Sequence, residues 1–332
     1  MARVNVTAAD VAERVGVSKW TVIRAFDPNG RITDETRRKV LAAADELNYQ
    51  PNLLARSLRT NQTQQVAILI DDFSNPFMLP ALGCLAGKLQ DAGLLSVVLN
   101  INDHLSHLRA IASARQRRLD AIISFGVSFD PKSVVTELDM TQGSPIYVLA
   151  RESTSSSLPS LYTEGRSAVT AMSEHLHARG YRRPVFFGGP KSAATALGRR
   201  RYYQEFWVAK GLPKLREIAS PLYELGAATK VFRTYLEGEF RQHPADVVLC
   251  ENDILAIAAL DVARFERGLR VPQDLAVVGF DNIPLSGTRA YDVTTISQPY
   301  AKMIDAVIEM ILGNSATESR AFPGELVLRS SA

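Results

Sequence analysis

Hydrophobic residues recur along this chain with two different periods. As far as about Tyr49 they recur at helical spacing, in three short segments. From Val66 onward, short continuous apolar runs alternate with longer stretches of helical periodicity. The pattern therefore predicts a small helical domain followed by a larger α/β domain. A length of 332 residues agrees with this division, because it is too long for one ordinary hydrophobic core.

The three helices of the first domain are predicted from their capping signals. Thr7 with Asp10 is a capping box that begins the first helix, and Gly16 ends it. Ser18 begins the second helix after a tight turn, and Thr33 caps the third. The apolar positions that repeat at helical spacing are Ala8, Val11, Ala12, Val15, Val22, Ala25, Phe26, Val40, Leu41, Ala44 and Leu47.

Two short helices around a glycine turn, supported by a third, form a helix-turn-helix, whose second helix lies in the major groove of DNA. Lys19, Trp20 and Arg24 lie on the polar face of the predicted second helix. The alternative is a plain helical hairpin with a basic surface. Trp20 favours DNA binding, because an indole on a polar face is costly to leave in water without a partner.

The formal net charge of +3 is unevenly distributed. Residues 1–61 contain ten Lys and Arg against seven Asp and Glu, and the remaining residues contain 28 of each kind. The excess of positive charge therefore lies in the helical domain, where a polyanion would bind.

Seven short apolar runs in the second domain predict buried strands: VAILI, LSVVLNI, DAIISFG, PIYVLA, RPVFFGG, ADVVLC and LAVVGF. Continuous apolar strands separated by helices are typical of parallel sheets covered on both faces. Ligands bind such sheets at the carboxyl ends of the strands. The segments that follow the strands are therefore the candidates for a binding site: DDFSNPF, SFG, ARES, GGPKSAAT, ENDILA and GFDNIP.

The first sixty residues also resemble a known family. TAADVAERVGVSKWTVIRAFDPNGRITDETRRKVLAAADELNYQPNLLARSLRTNQT is similar to the DNA-binding head of the lac/galactose repressor (LacI/GalR) family, with D-V-A, G-V-S, T-V-x-R, T-R-x-x-V and L-N-Y-x-P-N-x-x-A-R-S-L in order. The resemblance implies that Lys19, Trp20 and Arg24 read bases, while Ser18 and Thr21 hold phosphates. Arg24 suits a bidentate contact to guanine. Trp20 departs from the small or amide side chains expected there, which implies an atypical operator preference.

The segment PNLLARSL is too short to be a stable isolated helix. The family resemblance implies a hinge helix that orders on DNA and pairs with its dimer mate. Leu58 then matches a wedge between base steps in the minor groove, with Ala55 beside it, and Arg56 and Arg59 neutralise phosphates. The alternative is a linker with a chance helical pattern.

The resemblance continues through VAILIDDFSNPFM, HLHARGYRRPVFFGG, DVVLCENDILAIAALDVARFERGLRVPQDLAVVGFDN and YDVTTISQP, which are similar to the family's periplasmic-binding-protein-like sensor body. It implies that Arg199, Asn252 and Asp281 contact a small-molecule effector, with Phe77 as an aromatic wall. Tyr223 is a further candidate. A guanidinium, an amide and a carboxylate complement hydroxyl groups, which suits a sugar, a polyol or a sugar acid.

Two departures from the family's pattern affect this pocket. Thr163 and Glu164 stand where the family usually has Asp-Asn, and Tyr202 replaces a glycine. Both indicate a pocket reshaped away from the better-known sugars.

Each predicted effector residue also has a purely structural interpretation. Asn252 with Asp253 could cap the helix that follows, and Asp281 with Asn282 could form a turn. Arg199, in GRRR, could belong to a solvated basic turn. The histidines show no grouping with carboxylates or thiolates and are predicted to lie at the surface: His104, His107, His175, His177 and His243.

The predicted fold class is α plus α/β: a three-helix helix-turn-helix head with a hinge helix, then a two-lobed periplasmic-binding-protein-like body with parallel sheets. The predicted bounds are 1–50 for the head, 51–61 for the hinge helix and linker, and 62–332 for the effector-binding and dimerisation body. Within the body, the N-lobe is predicted at about 62–160 and 292–320, and the C-lobe at about 161–291 and 321–332.

Other classes are disfavoured by what the sequence lacks. Charged residues near the start, such as Arg3 and Glu13, interrupt any signal-peptide core, and no stretch reaches membrane-spanning length, so we expect a cytoplasmic protein and not an exported transport protein. No G-x-S-x-G, P-loop or G-x-G-x-x-G motif points to an enzyme. Cys84 and Cys250 lie in apolar segments and indicate buried thiols. Neither a metal nor a cofactor is predicted.

The expected partners follow from the resemblance. They are a pseudo-palindromic operator DNA, a carbohydrate-like effector, and a second copy of the chain in a homodimer or a tetramer, with no membrane partner. One alternative keeps the DNA binding and replaces the small molecule with a protein co-regulator.

Overall fold

The computed structural model describes residues 6–27, 30–52, 57, 60–73, 75–101, 106–126, 129–140, 142–153, 155–190 and 198–332. The chain forms two compact units, Met1–Thr63 and Gln64–Ala332. The predicted limit between residues 61 and 62 lies two residues before this division. Within the described residues, no helix is long and apolar enough to span a membrane.

The first unit contains α1 (Ala8–Val15), α2 (Lys19–Ala25) and α3 (Asp34–Glu46). The three helices pack around Val11, Val22 and Val40, which are completely buried. One apolar side chain from each helix therefore meets at the centre of a very small core.

The ends of these helices are where the sequence predicted them. Thr7 and Asp10 make the reciprocal bonds of a capping box, and Gly16 ends α1 at φ +74°, a left-handed conformation that suits glycine. The hydroxyl oxygens of Ser18 and Thr33 accept the amides three residues later, at 3.1 and 3.2 Å. Local hydrogen bonds therefore set both turns that flank α2.

The first lobe of the second unit is a six-stranded parallel sheet in the order β11-β5-β4-β3-β1-β2. Its strands are β1 (Gln65–Ile70), β2 (Leu95–Asn100), β3 (Ala121–Ser124), β4 (Ile146–Leu149), β5 (Ser160–Glu164) and β11 (Arg320–Pro323). Its helices are α4 (Met78–Asp91), α5 (His107–Gln116), α6 (Pro131–Glu137) and α12 (Tyr300–Ile311).

The second lobe is a four-stranded parallel sheet in the order β7-β6-β8-β9. Its strands are β6 (Pro184–Gly188), β7 (Arg216–Ala219), β8 (Val247–Cys250) and β9 (Ala276–Val278). Its helices are α7 (Gly165–Ala178), α8 (Arg199–Ala209), α9 (Leu225–Glu237), α10 (Glu239–Gln242) and α11 (Asp253–Asp261), with a π-helical turn at Val262–Glu266 and a 3-10 turn at Pro284–Gly287. A separate antiparallel pair joins β10 (Thr295–Ser297) and β12 (Glu325–Val327).

The chain passes between the lobes three times, after β5, after β10 and after β11. The three passages pack together at Gly324. A Cβ atom there would lie 2.9 Å from Ile296 and 3.0 Å from Thr163, which belong to the other two passages. A larger residue at position 324 would therefore push the passages apart.

The structure corrects three details of the predicted body. β2 is an edge strand with Leu95 61% exposed, whereas its apolar run predicted burial on both faces. β5 and β11 extend the first lobe a few residues past the predicted limits near 160 and 320. Thr294 and Ser297 form bridges to the second lobe, so the second segment of the first lobe begins at α12 rather than near residue 292.

Candidate functional site

The outer face of α2 carries the three side chains predicted to read bases. Lys19, Trp20 and Arg24 are exposed, Trp20 by 59% of its surface. Val22 and Ala25, on the opposite face, are buried in the core of the head. The helix is thus amphipathic in the sense required of a recognition helix, with its polar face available to a ligand.

Ser18 and Thr21 bond to each other at the start of α2. Their hydroxyl oxygens are 2.9 Å apart, and Ser18 also accepts the Thr21 amide. Both hydroxyls therefore stabilise the helix start, and their predicted contacts to phosphate stay a prediction.

Arg37, on α3, holds the end of α2. Its Nη1 donates to the carbonyls of Ala25 at 2.7 Å and Asp27 at 2.8 Å, and its Nη2 donates to Gly30 at 2.8 Å. Ala25 is the last residue of α2, and a helix leaves its last carbonyls without an intrahelical partner, whereas Asp27 and Gly30 belong to the loop that follows. A single guanidinium therefore connects the supporting helix to the recognition helix and its following loop.

The hinge predictions fall on residues that the structure leaves undescribed. Ala55, Arg56, Leu58 and Arg59 lie outside the described residues. Their roles stay predictions.

In the body, all five residues predicted to contact an effector line one cavity between the two lobes: Phe77, Arg199, Tyr223, Asn252 and Asp281. They come from widely separated parts of the sequence. Phe77 precedes α4, whereas the other four follow strands or begin a helix of the second lobe. The carboxyl ends of the parallel strands bring them together, as this class of fold requires.

Arg199 is buried at 7% exposure, so it is not part of a solvated basic turn. Its Nη1 donates to the carbonyl of Glu251 at 2.6 Å, and its Nη2 lies 3.6 Å from the carboxylate of Asp281. Its guanidinium also stacks on the ring of Phe280, 3.6 Å from the centroid. The cation is therefore held rigidly against the floor of the cavity.

Asp281 has a backbone φ of +116°, and Asn282 has +54°. Non-glycine residues rarely adopt these values, and such strain is concentrated at functional sites. Arg329 donates to the Asn282 side-chain oxygen at 2.6 Å, and Asp253 accepts the Ile283 amide at 2.9 Å. These two bonds hold the turn that presents Asp281 to the cavity.

A hydrogen-bond chain links Asp281 to the first lobe through Gln298. Gln298 Nε2 donates to Asp281 at 2.7 Å, and its Oε1 accepts from the Thr163 hydroxyl at 2.8 Å. Because the threonine hydroxyl donates to the amide oxygen, the amide nitrogen faces the carboxylate. Thr163, noted as a departure from the family's pattern, therefore orients the amide that contacts Asp281.

Tyr223 and Asn252 complete the floor of the cavity. The Tyr223 hydroxyl donates to the Glu251 carboxylate at 2.8 Å, and burial raises the pKa of this phenol far above its usual range, with the charge of Glu251 adding to the effect. The Asn252 side chain accepts the Leu255 amide at 3.1 Å. Asn252 therefore caps α11 and lines the cavity, so its two interpretations are compatible.

A second cavity adjoins the first and shares Ala150, Arg151, Arg199 and Gln298 with it. Its other walls include the departures noted in the sequence, namely Thr163, Glu164 and Tyr202. Arg151, Gln298 and Glu251 were not predicted as site residues, although Arg151 and Glu251 lie in the strand-end segments ARES and ENDILA. The position of Arg151 and Glu251 directly after a strand is the signal that points to them in the sequence.

The burial of one histidine and one cysteine differs from the prediction. His107 is partly buried against Phe129, 5.2 Å between centroids, so it is not a surface residue. Cys250 is fully buried, whereas Cys84 is half-buried. No group of His, Cys, Asp and Glu that could hold a metal ion occurs among the residues described.

The buried carboxyl of Asp281 predicts how stability depends on pH. Burial raises its pKa to about 7 from an ordinary 3.8, against the opposing charge of Arg199. Because the pKa of Asp281 is higher in the folded than in the unfolded state, this residue stabilises the fold at low pH. Its contribution is lost as the pH rises through about 7. Relative to Asp281→Asn, the wild type should lose roughly 2–3 kcal/mol of unfolding free energy between pH 5 and 8.

Urea unfolding of both proteins at the two pH values measures this difference. Asp253, whose pKa burial raises to about 6, is present in both proteins and titrates in both profiles. Parallel pH profiles for wild type and variant would contradict the prediction.

Comparison with known proteins matches residues 7–52 to bacterial regulatory proteins of the lacI family, and residues 173–332 to a periplasmic binding protein-like domain. The ribose operon repressor of Halalkalibacterium halodurans is 30% identical over 295 residues, which cover 88% of this chain and 85% of that protein. The HTH-type transcriptional repressor PurR of Photobacterium profundum is 26% identical over 336 residues, which cover 98% of both.

Among solved structures, the lac repressor dimer bound to operator and the anti-inducer ONPF superposes with a TM-score of 0.84 at 24% identity. The match covers 98% of this chain and 99% of that one. Fold and relatives together define the class as a DNA-binding transcriptional regulator with a periplasmic-binding-protein-like effector domain. The chain belongs to the LacI family of bacterial regulatory proteins.

Proposed function

We propose that this protein is a homodimeric repressor of transcription, released from or driven onto a pseudo-palindromic operator by a small polyhydroxylated effector. It acts by binding and not by catalysis. Lys19, Trp20 and Arg24 read bases in the major groove, while Ser18 and Thr21 hold phosphates. In the hinge, Leu58 enters the minor groove beside Ala55, and Arg56 and Arg59 neutralise phosphates.

The observation that carries the effector proposal is the meeting of Phe77, Arg199, Tyr223, Asn252 and Asp281 in one cavity. The cavity combines one aromatic wall with a cation, a carboxylate and an amide. Hydroxyl groups donate and accept, so a sugar, polyol or sugar acid can pair with all three polar groups. One relative is named a ribose operon repressor, and this name supports the proposed ligand class.

The effector acts because it contacts both lobes. Phe77 belongs to the first lobe and Asp281 to the second, so an effector between them favours one separation of the lobes. An effector shifts operator affinity only by the difference in its affinity for the two states. In the dimer, the positions of the first lobes decide whether the two hinge segments can pair on DNA.

The homodimer is supported by apolar side chains exposed on adjacent elements of the first lobe. Leu79 on α4 and Leu95 on β2 are 56% and 61% exposed. A second copy of the chain that packs on this lobe would cover these side chains. Sedimentation of the full-length chain distinguishes a dimer from a tetramer.

Operator binding is tested by selecting genomic fragments with the full-length protein and measuring affinity at several salt concentrations. Affinity should fall steeply with salt because phosphate contacts release counterions. Arg24→Ala should weaken specific binding by about 10- to 100-fold, the range expected for a bidentate base contact, and leave nonspecific binding nearly unchanged. Arg38→Ala, in the exposed part of α3, is the control. An operator affinity that does not change with salt concentration, or an Arg24→Ala variant that loses specific and nonspecific DNA binding equally, would contradict the proposal.

The effector class is tested by a thermal-shift screen of sugars, polyols, sugar acids and nucleosides on the full-length protein. A ligand that binds only the folded state raises the melting temperature. Hits should lose their effect in Asp281→Ala, and a complete absence of hits among sugars, polyols and sugar acids would contradict the proposed ligand class.

A further inference from the structure

Gln298 lies where the second passage between the lobes meets the two adjoining cavities. It follows β10 and precedes α12, it is only 5% exposed, and it lines both cavities. The backbone beside it is fixed to the turn that carries Asp281, because the Asp281 amide donates to the Ile296 carbonyl at 2.8 Å. The backbone therefore holds the side chains of Gln298 and Asp281 next to each other.

The two hydrogen bonds of the Gln298 amide run in one direction. Its Oε1 accepts from the Thr163 hydroxyl at 2.8 Å, and its Nε2 donates to the Asp281 carboxylate at 2.7 Å. A hydroxyl group donates and accepts, whereas an ionised carboxylate only accepts. With its oxygen occupied by Thr163, the amide presents a donor to Asp281 and thereby favours the ionised carboxylate.

Ionisable side chains approach Asp281 from both lobes: Arg199 on α8, Tyr223 before α9, Glu251 after β8, Asp253 on α11 and Arg151 after β4. Burial is the main cause that raises the pKa of Asp281 to about 7, and the charges of Asp253 and Glu251 add to it. Arg199, at 3.6 Å, and the Gln298 donor lower this pKa. The opposing effects nearly balance at neutral pH, so one hydrogen-bond donor changes which form of the carboxyl group predominates.

We infer that Gln298, with its amide oriented by Thr163, is the positioning residue that makes Asp281 a hydrogen-bond acceptor toward the effector. The inference rests on the proposed function, in which Asp281 contacts the effector, and it assigns the direction of that contact. A hydroxyl group of the effector must donate to Asp281. A fluorine atom or a methyl ether at the same place cannot donate and should bind poorly.

The first test needs no ligand and measures the pH at which Asp281 loses its proton. Gln298→Met keeps the length of the side chain and removes both hydrogen bonds. Urea unfolding between pH 5 and 9, with each protein compared with the same protein carrying Asp281→Asn, isolates the contribution of Asp281. The midpoint of about 7 should move up by about one pH unit, because a hydrogen bond to a charged group contributes about as much as one pKa unit. Asp281 then stabilises the fold up to a higher pH.

Three further variants separate positioning from packing. Thr163→Val removes the hydroxyl at nearly unchanged shape, so the amide is free to turn, and the midpoint should move in the same direction as in Gln298→Met. Thr163→Ser keeps the hydroxyl and should keep the wild-type midpoint. Gln242→Met, at an exposed position on α10 outside the cleft, is the control and should also leave the midpoint unchanged.

The second test measures the direction of the contact with ligands. Ribose, glucose, ribitol and gluconate are titrated at pH 6 and 8, together with derivatives of ribose and glucose fluorinated at each hydroxyl position in turn. In the wild type, affinity for a probe that binds should rise with pH, because ionised Asp281 accepts its hydroxyl. Fluorination at the position that faces Asp281 should weaken binding by about 10- to 100-fold. In Gln298→Met at pH 6, where Asp281 is protonated and donates, this loss should be smaller.

The outcomes distinguish this inference from the proposed function. An unchanged midpoint in Gln298→Met, with stability lowered equally at every pH, would show that Gln298 only packs, and it would leave the proposed effector site standing. Probes that tolerate fluorine equally well at every position would also refute the assigned direction. If no probe binds, and the wider screen of sugars, polyols and sugar acids is negative, the proposed ligand class fails and this inference fails with it.

Discussion

Asp281→Ala is expected to abolish the response to the effector while operator binding stays at the wild-type level. The substitution removes the carboxylate that faces Arg199 at 3.6 Å and Gln298 at 2.7 Å, and it leaves the buried guanidinium without its counter-charge. The substitution also removes the proposed contact between Asp281 and the effector, and losing one partner of a buried charged contact across an interface costs about 2–5 kcal/mol of binding free energy, or roughly 30- to 5,000-fold in affinity. Operator titrations with and without effector measure both properties.

Asp274→Ala is the matched control for this variant. Asp274 is an aspartate of the same lobe, paired with Arg270 at 2.6 Å on the surface and outside the cleft. The control should respond to the effector with an unchanged midpoint. An Asp281→Ala protein that still responds at the wild-type concentration would remove Asp281 from the site.

Arg37→Ala is expected to loosen the recognition helix and reduce operator affinity by more than 10-fold. The side chain makes three hydrogen bonds to carbonyls at and after the end of α2. Hydrogen bonds to a charged group contribute about 1.5–3 kcal/mol each when buried, and these are partly exposed, so we expect a total loss of roughly 2–4 kcal/mol. A small domain has little more stability than that.

Amide hydrogen exchange in α2 of the full-length protein measures the loosening directly, since local opening exposes these amides. Arg38→Ala is an internal control on the same helix. Its Nε lies 3.4 Å from the Asp34 carbonyl on the exposed side, so the change should be below about 0.5 kcal/mol. Equal exchange rates in the two variants would show that Arg37 does not hold the helix.

Features governed by neighbouring residues could be predicted from the sequence. Ser18 and Thr33 begin helices because their hydroxyls accept amides only three residues away, and at Thr7 the Asp10 carboxylate accepts from both the amide and the hydroxyl of Thr7. The buried strands of both lobes were found for a similar reason, since a strand covered on both faces needs a continuous apolar run. These signals do not depend on the rest of the fold.

Short or partly exposed strands carried no comparable signal. β7 and β11 contain charged residues or proline and have mixed burial, so neither forms an apolar run. The same limitation explains why β2 was expected inside the sheet. Its apolar side chains do not reveal that, in the described part of the chain, β2 is the last strand of the sheet.

The amino-acid sequence by itself determined the helix boundaries of the head, the parallel α/β architecture of the body and, through its family resemblance, which side chains to examine. Only the tertiary structure decided that Gln298 and Thr163 orient Asp281, and that Arg151 joins Arg199 at one cleft. Those residues are separated by tens of positions along the chain and carry no shared local pattern. Their proximity arises from the packing of two sheets and three chain passages, which no short segment encodes.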